Sequence, residues 1–200
     1  MKTKRRAAYF FTSLKLFLRE YRLFVLLGCL CLLGGIVVGV LSARSFGEDY
    51  YKLNFIFELQ SGSYSFAKTF FLALLFGWGG LALILLCGFN RWLIFPAFFL
   101  VAFLGYRLGL GFVGCLQPSG AGGVACVIFF YLPLYLTAGT VFIVYICMVF
   151  SSICGACGVF SSASSIKRLL FKALPLSLVF AAVAFFSCIL IPLLYKLFFM

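Results

Sequence analysis

Residues 23–41 read LFVLLGCLCLLGGIVVGVL, an unbroken apolar run without a charge or a proline. At about 1.5 Å of rise per residue, a helix of that length crosses roughly the 30 Å hydrocarbon core of a bilayer. The run is longer than the roughly 7–15 residues of a signal-peptide h-region, so it reads as a retained membrane span. Within it, Gly35 and Gly39 stand at the small-xxx-small spacing that lets two helix backbones approach closely.

The residues before this run, MKTKRRAAYFFTSLKLFLREYR (1–22), form a basic amphipathic helix. Phe10, Leu14, Phe17 and Tyr21 repeat at helical spacing while Lys15, Arg19 and Arg22 gather on another side. After the run, residues 42–68 hold three of the four acidic residues, Glu48, Asp49 and Glu58, and read as an external loop carrying a half-apolar surface helix. Four further apolar stretches follow, at 69–89, 92–115, 124–150 and 174–195. Only Asn90 and Arg91 separate the second from the third, which makes those two an antiparallel hairpin. The third ends at the uncharged stretch QPSGAGG, expected to be a turn. The fourth carries Pro133 and Gly139, and a proline inside a helix removes a hydrogen bond and bends the chain. Periodicity leaves open whether residues 151–160 extend it.

Composition agrees with this segmentation. Hydrophobic residues make up 66% of the 200 and charged residues 10%, against roughly 45–50% apolar in soluble domains. A soluble fold so composed would expose apolar patches that monomers avoid. The expectation is therefore one all-α domain over 1–200, a polytopic integral membrane bundle of about five transmembrane helices. The net charge of +12 does not point to nucleic acid, because the Lys and Arg residues lie beside the apolar runs, where they set orientation and meet lipid headgroups. Eleven of them fall on the side of the N-terminus, four on the other, and Arg107 lies inside the third run. That bias predicts a cytoplasmic N-terminus, an extracytoplasmic C-terminus and a multi-pass protein of the cell membrane.

Chemistry-bearing residues are few. With no histidine, His-based acid–base catalysis and the commonest metal ligand are both missing, and no phosphate-binding glycine loop is present. No catalytic, cofactor or metal site is expected, and the chain reads as a non-enzyme. Most of the nine cysteines fall in apolar runs and behave as small hydrophobes. Cys154 and Cys157 form a C-x-x-C pair, but on the reducing cytoplasmic side and without a polar activator nearby. Arg107 is costly at membrane depth. Two roles are open to it: snorkelling or pairing with Glu58 or Asp49, and facing a substrate path. Gly35, Gly39, Gly105, Gly109, Pro133 and Gly139 are the candidate helix-packing or partner-interface positions, the packing being either within the chain or with another membrane protein.

The order of these features resembles the stage II sporulation protein M family of bacterial membrane proteins, over nearly the whole chain. The shared elements are the basic amphipathic start, a first span ending in GGIVVGVL and a long external loop. The third span adds a Gly-aromatic-x-x-Gly pattern (Gly105, Tyr106, Gly109). The fourth has PLYLTAGT (Pro133–Thr140), similar to that family's Pro-x-Tyr and Gly-Thr pattern. Related members carry a polar segment just before this proline, where this chain has VIFFYL. The resemblance implies a scaffold that anchors two peptidoglycan-degrading partners, stage II sporulation proteins D and P, during engulfment of the forespore. From the residues alone, a permease or transporter subunit is the alternative, with Pro133, Gly139 and Arg107 marking a broken helix.

Overall fold

The computed structural model describes residues 19–45, 64–155 and 163–199. The basic amphipathic segment before Arg19, most of the connection at 42–68 and Cys157 lie outside the described residues. Those described are helical almost throughout, with no strand among them. The elements are α1 (Arg22–Ser45), α2 (Phe66–Cys87), a 3-10 turn (Arg91–Leu93), α3 (Ile94–Cys126), a π-turn (Val127–Tyr131), α4 (Leu132–Gly155) and α5 (Ala163–Phe199). Five stretches are long and apolar enough to span a bilayer, at 22–43, 66–87, 94–116, 127–152 and 169–190, the fourth taking in the π-turn ahead of α4. The protein is a multi-pass helical membrane bundle.

Local chemistry explains where the helices begin. Ser65 is extended (φ −119°, ψ 113°) and its side chain accepts from the Lys68 N–H at 3.5 Å, capping α2. Segment two therefore starts at Phe66 rather than Thr69, which brings Lys68 out of the loop and into the first helical turn. Asn90 caps the 3-10 turn in the same way, accepting from Trp92 N–H at 3.0 Å, and makes the short α2–α3 hairpin. The last helix also begins earlier than residue 174. It carries Lys167 and Lys172 on its own opening turns, because lysines are good helix formers and a helix need not stop at the membrane edge.

The stretch QPSGAGG is helical, not an open turn, and α3 runs on through Cys126 into the π-turn. Continued helical hydrogen bonding satisfies the backbone N–H and C=O groups of this stretch, which lies between the 94–116 and 127–152 spans. The chain nonetheless folds back here. A straight helix would separate Gly111 from Tyr131 by about 30 Å, yet a Cβ at Gly111 would strike the Tyr131 ring. At the other end of the bundle, the Phe24 ring meets both Phe98 at 6.1 Å and Phe150 at 4.2 Å. The start of α3 and the end of α4 therefore lie side by side. Just ahead of α1, Tyr21 donates to Glu20 at 3.2 Å and reaches Ser151 near the end of α4. Burial is the main cause that pushes its phenol above the ordinary 10.0.

The centre belongs to α3 and α4. Half of the α3 span and 47% of the α4 span are buried, against 17% for α1. α4 packs on α1, α2, α3 and α5, and its Phe142, Tyr145 and Ile146 are almost wholly enclosed. The Phe142 ring fills the space that a side chain at position 80 would need and lies 6.5 Å from the ring of Phe76. Lipid tails are as apolar as this core, so close packing holds the ring in place and hydrophobic transfer contributes little. Phe142→Ala is expected to cost about 2 kcal/mol, at roughly 24 cal/mol per Å³ for a void on the order of 100 Å³. The thermal unfolding midpoint of the detergent-solubilised protein reads this directly, and an unchanged midpoint would mean that the site collapses without loss.

Candidate functional site

Two features of the bundle could serve a function: the seam between α1 and α3, and a groove between α2, α3 and α4.

The seam is built from the glycines at positions 35, 39, 105 and 109. A Cβ on Gly35 would meet the carbonyl oxygen of Ala102, and one on Gly39 that of Tyr106. Reciprocally, Gly105 faces the carbonyl of Leu32 and Gly109 that of Ile36. Four residues along α1 correspond to four in the same direction along α3, so the two helices run parallel. At each of these positions the Cα–H points at an oxygen of the facing backbone, the weak hydrogen bond that small residues allow, worth perhaps ~0.5–1 kcal/mol apiece. The structure thus brings the four glycines together inside one chain. Gly139 takes part from the side, with Leu32 Cδ1 at 3.3 Å from where its Cβ would stand, while Gly28 sits against Ile143. Moving up α1 here means moving down α4, so that pair is antiparallel.

Pro133 stands just after the π-turn. It has no N–H to offer the carbonyl four residues back, and its ring crowds that carbonyl. Widening the preceding turn to π geometry accommodates both effects, which gives the expected distortion of the fourth span a definite location at Val127–Tyr131. Downstream the helix is regular, and Thr140 Oγ1 donates to the Leu136 carbonyl at 2.9 Å.

Arg107 is exposed on α3 and lines the groove, together with Lys68 and Thr69 from α2, Tyr131 from the π-turn and Tyr135 from α4. The two tyrosine rings stack at 5.8 Å. Tyr64, just before the α2 cap, donates to the Cys188 carbonyl at 3.0 Å and ties this end of the bundle to α5. The rest of the groove wall is apolar. Glu58 and Asp49, the carboxylates expected as partners for Arg107, lie outside the described residues. Lys68, Tyr131 and Tyr135 carry no signal at the level of sequence beyond the one-turn spacing of the tyrosines. Among the described residues no cluster of His, Cys, Asp or Glu could hold a metal ion, and the Cys154 side chain and Cys157 lie outside them.

No protein-family model, no curated protein and no solved structure matches the chain.

The seam makes a position-specific prediction. At Gly35 or Gly105 an added methyl meets backbone, which cannot step aside unless the helices part. Gly35→Ala and Gly105→Ala are each expected to lose about 1–3 kcal/mol by overpacking. At Gly34, one residue away, nothing lies within 4 Å of an added Cβ. Gly34→Ala should therefore be neutral, or gain up to about 1 kcal/mol from helix propensity. Thermal unfolding of the three variants in one detergent checks this, and equal losses at 34 and 35 would contradict the packing described.

Proposed function

We propose that the chain is a non-enzymatic scaffold of the cell membrane that anchors peptidoglycan-remodelling partners, as its resemblance to the stage II sporulation protein M family implies. In this reading the N-terminus is cytoplasmic and the C-terminus extracytoplasmic, by the excess of Lys and Arg on the N-terminal side. The connection at 42–68 is then the external contact surface, and stage II sporulation proteins D and P are the partners by resemblance.

The observation that carries the reading is the contrast between a closed interior and an unused apolar exterior. Among the described residues no charged side chain is buried, and Ser187, Tyr131 and Tyr145 carry the only buried hydroxyls, whereas a solute route is lined by polar groups. α1 is engaged by α3 along its glycine face, yet Leu23, Leu30, Leu33, Val37 and Val38 on its other sides are each more than half exposed. This face remains for lipid or for the membrane anchor of a partner. The π-turn and Arg107 favour the alternative, a permease or transporter subunit, which requires solute movement by the chain reconstituted alone.

Photo-crosslinking residues placed between Ser42 and Lys68 in native membranes should capture cell-wall hydrolases; recovery of no envelope protein from any position would defeat the scaffold reading. The orientation is checked separately. A phosphatase active only outside the cytoplasm should be active when fused to the C-terminus, and activity instead of a cytoplasmic reporter there would reverse the topology.

A further inference from the structure

Three glycines of α1 are accounted for within the chain. Gly28 lies against Ile143, and Gly35 and Gly39 lie against the α3 backbone, but at Gly34 nothing stands within 4 Å of where a Cβ would be. A glycine inside a helix sacrifices propensity, and no contact within the chain offsets that loss at Gly34. Its line along the helix is specific. Leu23, Leu27, Leu30, Gly34, Val37 and Leu41 follow one another at alternating steps of four and three, the spacing that keeps one line of a helix against a partner helix. At about 100° per residue, Val37 points about 200° around α1 from Gly35, and Leu41 about 200° from Gly39. The line therefore runs the length of the span on the side opposite the seam. All five of its side chains are exposed, four of them by more than half. One further step of three reaches Glu20, with Arg19 beside it, and both of these residues are helical and exposed. Glu20 accepts from the Tyr21 hydroxyl and forms no ion pair among the described residues.

We propose that α1 pairs along this line with the α1 of a second copy of the chain, the two helices parallel and Gly34 facing Gly34 near the middle of the span. An acyl chain conforms to any apolar surface and gains nothing from a glycine, whereas a facing backbone gains close approach. The charges select the second copy. Two copies inserted in one orientation make an isologous contact, in which the same patch serves both sides. Glu20 of each copy then lies against Arg19 of the other, so the pairing of opposite charges is made twice. A lipid or an unrelated helix does not supply that reciprocal match. The inference is independent of the scaffold reading, since α2 and α5 keep exposed apolar faces of their own.

The test uses the full chain, labelled with donor or acceptor fluorophores and reconstituted into bilayers over a range of protein-to-lipid ratios. Energy transfer should rise along a monomer–dimer curve. Gly34→Ile should weaken the dimer at least about tenfold, from overpacking a close contact. Gly79→Ile, at the other open glycine of the spans, on α2, should leave the curve in place. Both substitutions enter open space in the single chain, so the thermal midpoint measured at the dilution where the chain is monomeric should not fall. Glu20→Arg should weaken the dimer about threefold, on the order of two exposed ion pairs, and adding Arg19→Glu should restore it. A photo-crosslinker at Leu30 in native membranes should capture a second, differently tagged copy, a measurement that does not depend on how the glycine variants fold. A chain that stays monomeric at every ratio would overturn the proposal, as would a dimer indifferent to Gly34→Ile. So would a Leu30 crosslinker that captures only lipid or only an unrelated protein.

Discussion

Helices in a bilayer gain little by leaving lipid for one another, since acyl chains are as apolar as leucine, and their association depends on how closely the backbones can come. In this protein the closest approach is between α1 and α3, where Gly35 and Gly39 meet the carbonyls of Ala102 and Tyr106 while Gly105 and Gly109 meet those of Leu32 and Ile36. Placing glycines in helices sacrifices propensity, about 1 kcal/mol each in water. The return is contact along both backbones, where dispersion accumulates over many atom pairs. It also aligns two spans that are not consecutive in the chain, so α2 cannot lie between them and must pack elsewhere.

That placement passes through to α4. With α1 and α3 locked in parallel, α4 runs back beside both, Ile143 and Gly139 facing Gly28 and Leu32 on α1. Another of its faces packs on α2 and α5, and α2 accepts rings from both neighbours. Phe142 enters at Gly80, and Phe180 from α5 enters at Gly77. Phe185 of α5 meets Phe66 and Phe70 edge-on at 5.7 and 5.8 Å, the arrangement aromatic quadrupoles favour. One pair is thus joined backbone to backbone, while α2 receives the rings of Phe142 and Phe180 over Gly80 and Gly77.

The five spans were legible because an apolar run of twenty residues has few physical readings. Their ends were less so. Ser65 caps α2 three residues before Lys68, and a hydroxyl's role as cap depends on its extended backbone, which hydropathy does not record. QPSGAGG reads as a turn because glycine and proline mark turns, yet its backbone stays helical while the chain reverses between Gly111 and Tyr131. The small-residue pairs stood out by spacing, but their mutual engagement did not, since an x-x-x spacing names a face and not its partner. Gly77 and Gly80 were not singled out, because the seats they make exist only once Phe180 and Phe142 have arrived.

The orientation of Arg107 follows from the seam by geometry. Each helical residue advances about 100°, so position 107 points about 200° around α3 from Gly105. With Gly105 and Gly109 turned to α1, Arg107 must face away from it, and Phe103, on the same side, goes with it into the groove. The glycine contact that closes one face of α3 therefore decides which face carries the charge. A slip of four residues along the seam would keep glycine against backbone at one of the two positions on each helix while sliding Arg107 by about 6 Å along the membrane normal. Two glycines on each helix, where one would suffice for close approach, penalise that slip. The paired spacing fixes the depth of the cation as well as its direction, and with it the level at which the groove turns from apolar to basic.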